Sequence, residues 1–417
     1  MNAAVRITLI ALVSALCAGA LSAQDANRHY GLRYDLRLNP QADRAEVALT
    51  LDKRIKGNIW SMRFHIDPER HADFKADGKL ESDGAYVTWT PPESGGRMSF
   101  QVPVSHRRDN GRFDAMMTND WAIFRGDDLF PPAHTHERED SEADATLNVH
   151  LPAGWSFVSP YSKTGDNMYE VEHDHRRFDR PTGWMAAGRV GVRRERIAGV
   201  RVIVAGPLNH GARRMDILAM LQWNLPRIRK VTPDMSDRLL VVSAGDPMWR
   251  GGLSGPSSLF LHADRPMISE NGTSTLVHEL MHVANRLEAQ QGADWIVEGL
   301  AEYYSLKIMW RSGTISDQRY KRALQSLEQR GQQAGRLDVD ISRGPVTARA
   351  VGIMRELDHE VYEKSRRQKS LDDVMLLLMK SEQKVSLQLL RQAAAQCIGT
   401  HAETLNDAKL QIDGLRS

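Results

Sequence analysis

The stretch Val277-His278-Glu279-Leu280-Met281-His282-Val283 decides which fold is expected for the second half of the chain. Its apolar residues recur at helical spacing, which predicts an α-helix over 273–289. Residues four apart lie on one helix face, so His278 and His282 can direct both imidazoles at a single metal ion. Glu279 lies beside that face, where its carboxylate can reach a water on the metal. The stretch therefore predicts a metal centre built on a helix.

A third protein ligand is expected on the next helix, predicted over 294–311 after a short loop around Gly292. Catalytic zinc takes three protein ligands and keeps a fourth position open, and Glu298 is the candidate that a tight helical hairpin returns to the histidines. A structural zinc site, the alternative, usually fills all four positions and favours cysteine, which this region lacks. The sequence thus predicts one Zn²⁺ per chain, held by His278, His282 and Glu298, with Glu279 as general base.

The hydrophobic pattern of the remaining chain differs between its first part, before residue 200, and the part that follows. Residues 28–199 contain short alternating runs broken by turn residues, which predicts an antiparallel β-sandwich or saddle-like sheet. Strands are expected at 200–205, 239–243 and 257–262, with a helix at 215–225 that Pro226 stops. Later helices are expected over 316–334, 345–365, 370–381 and 385–396, and Ser370 with Asp373 predicts a capping box. The fold class is therefore α+β and multidomain.

Length and charge limit the possible functions. A chain of 417 residues exceeds the roughly 250–300 residues of a single core, so more than one domain is expected. Its net charge of +2 argues against a dedicated nucleic-acid binder, which would carry a strong basic excess. The expected partner is a peptide or protein substrate, and the sequence leaves the oligomeric state open.

The first 23 residues have the layout of a secretory signal peptide. Arg6 is followed by an apolar run over 7–21 and then by small residues, with a retained membrane anchor as the alternative. Cleavage would remove Cys17 and leave Cys397 as the only cysteine, without a disulfide partner. We expect an exported protein, periplasmic if the source is a Gram-negative bacterium, with no membrane span after signal removal.

Three pieces of sequence carry a resemblance to a known family: Gly251-Gly252-Leu253, His278-Glu279-x-x-His282-x-x-Asn285-Arg286 and Trp295-x-x-Glu298-Gly299-x-x-x-Tyr303-Tyr304. They resemble the gluzincin metallopeptidases, and most of all the glycyl aminopeptidase family, whose members often carry a PDZ domain. The resemblance implies a thermolysin-like catalytic domain at 199–314, with the ligands and base named above. It would follow a β-rich domain at 24–198 and precede a C-terminal helical domain at 315–417, without a PDZ domain.

Two departures from that family bear on activity. Ser254 stands where the family has a glutamate that, in related aminopeptidases, helps to hold the free amine of the substrate. Thr347-Ala348-Arg349-Ala350 stands where a Tyr-x-Lys-Gly motif would supply a tyrosine to the oxyanion. Either Arg349 or another tyrosine replaces that donor, or activity is low, since losing one such donor typically costs about 100–1000-fold in rate.

The sequence therefore leaves two functions open. The first is a zinc-dependent peptidase, whose exo- or endopeptidase mode the sequence does not decide. The second is a non-catalytic descendant of a peptidase that keeps zinc for stability and serves as a binding or scaffold protein. Glu279 discriminates between them, because a purely structural zinc site has no need of a base.

Overall fold

The computed structural model describes residues 29–52, 58–139, 141–172 and 178–410. The predicted signal peptide, 1–23, lies outside these residues. Internal contacts divide the chain into two compact units, Met1–Val190 and Gly191–Ser417. The predicted boundary at 198/199 falls near this division, and the assignments 24–198, 199–314 and 315–417 stay predictions.

The described part of the first unit is built of β-strands. Its strands are β1 His29–Asn39, β2 Arg44–Leu51, β3 Ile59–His65, β4 Ala72–Ala76, β5 Lys79–Asp83, β6 Tyr86–Thr90, β7 Gly96–Pro103, β8 His106–Arg107, β9 Phe113–Met117, β10 Trp121–Arg125, β11 Ala133–Glu137, β12 Glu142–His150, β13 Ser156–Val158, β14 Ser162–Gly165, β15 Met168–Val171 and β16 Trp184–Gly188. They form sheets in the orders β14-β15-β12-β1-β2-β7-β4, β13-β16-β10-β9-β8 and β11-β3-β6-β5. A single helical turn, Gly126–Leu129, follows β10.

Alternation along these strands builds the core of the first unit. In β1, Tyr30, Leu32, Tyr34, Leu36 and Leu38 are buried, while the residues between them are exposed or half-buried. Successive side chains of a strand point to opposite faces, so this period of two buries one face of the sheet. The β-rich nature predicted for this region is confirmed.

One pair of strands departs from the antiparallel prediction. β1 runs parallel to β12, with His29 opposite Glu142 and Arg37 opposite His150. A parallel pair needs a long crossover rather than a tight turn, and the intervening strands provide that length. Alternation within a strand does not encode the direction of its partner, and the prediction was therefore wrong for this pair.

The second unit begins with a five-stranded sheet. Its strands are β17 Val190–Ile197, β18 Val200–Pro207, β19 Arg238–Ala244, β20 Gly252–Gly255 and β21 Ser258–His262, in the order β17-β18-β19-β21-β20. β18, β19 and β21 are parallel, and β20 pairs antiparallel with β21. β20 is therefore an edge strand, paired on one side only.

One helix lies in the chain between β18 and β19, and the others follow β21. They are α1 Arg214–Val231, α2 Thr275–Asn285, α3 Asp294–Arg311, α4 Asp317–Gly331, α5 Pro345–Lys364, α6 Leu371–Lys380 and α7 Leu387–Ile398, with a last turn at Asp407–Leu410. The capping box of Ser370 and Asp373 is present. Within the described residues, none of the helices is long and apolar enough to cross a bilayer.

The predicted end of α1 at Pro226 was wrong, because the helix continues to Val231. A proline inside a helix removes one backbone hydrogen bond and costs about 3 kcal/mol. Leu225, Ile228 and Val231 are buried in the core, and their burial offsets that cost.

A single hydrophobic cluster spans the second unit, from Ile197 to Leu410, and it does not divide at residue 314.

A polar network on α3 links this helix to two others. Lys307 is 3% exposed, and its Nζ lies 2.6 Å from Asp358 Oδ2 on α5 and 3.3 Å from Asp372 Oδ1 on α6. A buried charge is tolerated when it is paired in this way, so α3, α5 and α6 are tied together.

Candidate metal centre

Helix α2 is positioned by its N-terminal cap and its apolar face. The Ser274 hydroxyl accepts a hydrogen bond from the Val277 N–H at 3.3 Å, which satisfies one of the free donors at the helix start. Leu276, Leu280 and Met281 are fully packed into the core. This leaves the histidine-bearing face of the helix directed toward α3.

Three side chains converge between α2 and α3. His278 Nε2 and His282 Nε2 are 3.1 Å apart. Glu298 reaches both, with Oε2 at 3.4 Å from His278 Nε2 and Oε1 at 3.3 Å from His282 Nε2. All three ligand atoms lie within 4.8 Å of one another, the one such group found in the described residues. The sequence placed these residues in one site, and the structure brings them together.

The spacing and the chemistry of this group fit zinc. Zn–N and Zn–O bonds near 2.1 Å with tetrahedral angles put neighbouring ligand atoms about 3.4 Å apart. The three observed separations, 3.1, 3.3 and 3.4 Å, are close to that value. Two imidazoles and one carboxylate are the donor set of an open catalytic zinc site.

The carboxylates around the histidines shift the pKa of both partners. Burial alone would raise the pKa of Glu298, but its hydrogen bonds to His278 and His282 hold that pKa well below the usual range. Burial would lower the pKa of His278, and its hydrogen bonds to Glu298 and Glu302 outweigh this and raise it well above the usual value. Both shifts show that the carboxylates favour positive charge at the centre of this group.

Glu302 contacts His278 at the ring nitrogen that does not face the other two ligands. Its Oε2 lies 2.8 Å from His278 Nδ1, and it follows Glu298 by one turn of α3. This contact fixes the ring so that Nε2 faces the other two ligands. Asn285, three residues after His282, instead accepts a hydrogen bond from the Leu287 N–H at 3.0 Å, at the end of α2.

Replacing Glu302 by alanine is expected to weaken zinc binding by about 10–100-fold, because the His278 ring loses the partner that orients it. Chelator competition on the purified protein measures this affinity. Glu302→Gln keeps a carbonyl oxygen that can accept from His278 Nδ1, so its loss should be smaller. Equal zinc affinity of Glu302→Ala and the unaltered protein would contradict the role given to this carboxylate.

Glu279 lies against the edge strand β20. A methyl group built on Gly252 would come within 2.9 Å of Glu279 Oε1 and 2.8 Å of Thr275 Cγ2. Only glycine therefore allows the strand to approach the helix this closely. The close approach places the Glu279 carboxylate against β20, the edge strand of the sheet.

Gly252→Ala should displace the Glu279 carboxylate while leaving the metal ligands in place. Misplacing a reacting group by about 1 Å can cost about 100-fold in rate, so peptide cleavage should fall by that order with zinc content unchanged. The matched control is Gly352→Ala, because a methyl group at Gly352 meets no atom within 4 Å. Full activity in Gly252→Ala would show that this close approach does not position the base.

Arg349, named above as a replacement for the oxyanion tyrosine, and the two tyrosines nearest to Glu298 on α3 form hydrogen bonds elsewhere. Arg349 donates to the carbonyl oxygens of Gly335, at 3.1 Å, and of Leu410. Tyr303 and Tyr304 donate to the carboxylates of Asp358 and Asp372, at 2.6 and 2.8 Å. Neither Arg349 nor this tyrosine pair is therefore available to the metal centre in the described arrangement.

The structure adds Asp294 to the surroundings of the site. It precedes Glu298 by one turn of α3, and its Oδ2 accepts a hydrogen bond from the Ser342 N–H at 2.6 Å. Ser342 Oγ in turn lies 3.1 Å from Thr347 Oγ1. Burial raises the pKa of Asp294, and the nearby Glu298 charge raises it further. The spacing 294, 298 and 302 on one helix face was the sequence signal for this carboxylate.

A comparison with solved structures finds a protein of similar fold. The chain is similar to an aminopeptidase N family protein from Idiomarina loihiensis, with a TM-score of 0.62 and 16% sequence identity. The match covers 92% of this chain and 74% of that chain. No family model and no curated protein matches the sequence. The likeness shows an aminopeptidase-like multidomain fold, while the resemblance to gluzincins and to the glycyl aminopeptidase family stays a prediction.

Proposed function

We propose that this protein is a zinc-dependent metallopeptidase that hydrolyses peptide bonds. The observation that carries the proposal is the convergence of His278, His282 and Glu298 at tetrahedral spacing, with Glu279 on the next position of the same helix. Zinc, when bound by these residues, lowers the pKa of a water toward 7 and polarises a carbonyl group. Glu279 takes the proton of the attacking water and passes it to the leaving amine.

The edge strand offers a place for an extended substrate. β20 pairs with β21 on one side, and its other edge ends the sheet. An extended peptide can add to such an edge through main-chain hydrogen bonds, which would lay its scissile bond beside Glu279. This supports a substrate recognised by its main chain.

The side chains on the face of β20 that meets Glu279 give no reason to expect a preference for substrates with a free amino terminus. Ser254 follows Gly252 by two residues and therefore shares its face of the strand. A hydroxyl there supplies no charge to balance a substrate ammonium. Glu298 and Glu302 are engaged by the histidines, and Asp294 accepts from Ser342. We therefore extend the proposal to peptides whose amino terminus is blocked or internal.

One observation favours the second candidate, a non-catalytic zinc-stabilised binding or scaffold protein. Arg349, Tyr303 and Tyr304 are held by other groups, so none of them supplies the oxyanion donor that the family resemblance implies. A site that has the metal ligands and the general base, but lacks a strong hydrogen-bond donor for the oxyanion, would bind zinc and hydrolyse substrate slowly.

Zinc content and peptide cleavage, measured on the same preparation, test the proposal. We expect one zinc ion per chain and cleavage of a peptide library that disappears when a chelator removes the metal and returns when zinc is added. Amino-terminally acetylated peptides should be cleaved as well as free ones. A zinc-loaded protein that cleaves no member of the library would establish the scaffold function instead, and cleavage of free peptides alone would refute the extension to blocked substrates.

A further inference from the structure

Positive charge is concentrated in one short part of the second unit. Residues 191–230 contain nine basic residues (Arg193, Arg194, Arg196, Arg201, Arg213, Arg214, Arg227, Arg229, Lys230) and two acidic ones (Glu195, Asp216), a net charge of +7. The whole chain carries only +2, so the other residues are net negative. Such an asymmetry points to an anionic partner for this part of the surface.

Most of these residues belong to two neighbouring elements, α1 and β17, while Arg201 is on β18 and Arg213 directly precedes α1. A methyl group on Gly191, near the start of β17, would lie 2.8 Å from the Arg214 guanidinium at the start of α1. Near the other end, Arg229 Nη1 donates to Ala198 O at 3.3 Å. The helix therefore runs along the whole strand, and together they form one surface, the α1–β17 face.

Some cations of the α1–β17 face are paired with acids and others are not: Arg213 Nη1 lies 3.8 Å from Asp216 Oδ2. Arg196 and Arg229 meet at the turn after β17, where they donate to the carbonyl oxygens of Gly199 and Ala198 rather than to carboxylates. Arg227 and Lys230 extend the charge along α1, and both are exposed. In the part of the chain that the structure describes, none of these four side chains forms an ion pair. Their charge is available to a partner.

Large apolar side chains lie among these cations. Met215 is 62% exposed and Trp223 is 59% exposed, and the two are eight residues apart on α1, which places them on the same face of the helix. The opposite face, with Ile217, Leu221 and Ile228, is buried in the core. A rigid helix thus presents tryptophan and methionine to solvent with basic residues beside them.

We infer that the α1–β17 face binds the surface of a bilayer that contains anionic phospholipids. Basic side chains near such a surface gain about 1 kcal/mol each, or roughly fivefold in affinity. Tryptophan is enriched at the membrane–water interface, and an apolar face beside Lys and Arg is the pattern of interfacial helices. An acidic polymer would use the charges but would leave Trp223 and Met215 without an apolar environment.

The α1–β17 face lies at a distance from the edge strand β20. β17 and β20 are at opposite ends of the five-stranded sheet. With strands about 4.8 Å apart, four spacings separate these edges by roughly 19 Å. Binding through the α1–β17 face would therefore take place at the opposite end of the sheet from β20.

Sedimentation with vesicles tests the inference. The full-length chain is mixed with vesicles of phosphatidylcholine alone and of phosphatidylcholine with about 30% phosphatidylglycerol. We expect binding to increase strongly with phosphatidylglycerol and to weaken as salt is added, because the Debye length falls to about 8 Å at physiological ionic strength. The double variant Arg227→Gln/Lys230→Gln should lose about 30-fold in affinity for the anionic vesicles, and Trp223→Ala should also bind them more weakly.

Two controls keep the inference falsifiable. Lys321→Gln/Arg322→Gln makes the same change of charge on α4 and should bind like the unaltered chain. All variants share one amino terminus, so the apolar run at 7–21 contributes equally to each. Equal binding to both vesicle types, or an equal loss in the α4 control, would overturn the inference. So would full retention of vesicle binding by Trp223→Ala together with equally tight binding to polyglutamate, an outcome that identifies an acidic polypeptide as the partner.

Discussion

Glu279→Gln should abolish peptide cleavage while the protein keeps one zinc ion per chain. Glutamine has nearly the same shape as glutamate, but it cannot take the proton of the attacking water. General acid–base catalysis contributes about 100–10,000-fold, and the rate should fall by that range. The ligands His278, His282 and Glu298 are untouched, so zinc content by metal analysis should not change. Parallel assays of cleavage and zinc on one preparation measure both effects.

The control for this variant is Glu270→Gln, which makes the same chemical change at an exposed position. It should cleave peptides at the rate of the unaltered protein. Undiminished cleavage by Glu279→Gln would mean that another group acts as base, and the mechanism proposed for this site would be wrong.

Glu298→Ala should remove zinc from the protein altogether. It deletes one of three ligands and leaves the two imidazole nitrogens, 3.1 Å apart, without the carboxylate that lies between them. Because a ligand that binds only the folded state stabilises it, added zinc should raise the melting temperature of the unaltered protein. The variant should show no such rise and no peptide cleavage.

Metal analysis and thermal unfolding with and without zinc check this expectation. Glu356→Ala, an exposed change on α5, is the matched control and should retain the zinc-dependent rise. One zinc ion per chain in Glu298→Ala would contradict the assignment of the third ligand.

Local pattern predicted much of the secondary structure. Helices expected over 294–311 and 345–365 are found at Asp294–Arg311 and Pro345–Lys364, because amphipathic spacing and caps act over a few residues. The continuation of α1 through Pro226 could not be predicted in this way. It depends on the burial of Ile228 and Val231 against the rest of the core, which is a tertiary effect.

The candidate site also has features that local sequence patterns predict and features that depend on tertiary structure. The pairing of His278 with His282 follows from helical periodicity, and the choice of Glu298 from the short loop between two helices. The approach of Gly252 to Glu279 depends on how β20 crosses α2, and no local pattern reports that crossing. The binding of Arg349 to two backbone carbonyls likewise depends on segments far apart in the chain.

The Lys307 network makes the metal centre and the C-terminal helices one cooperative folding unit. Helix α3 presents Glu298 and Glu302 to the histidines, and it is anchored to α5 and α6 through the two carboxylates that hold Lys307. A chain truncated after residue 314 would lose both carboxylates that hold this ammonium and the helices that pack against α3. Metal affinity would then decline with the integrity of helices that touch no ligand, so proteolysis near the C-terminus would inactivate the site from a distance.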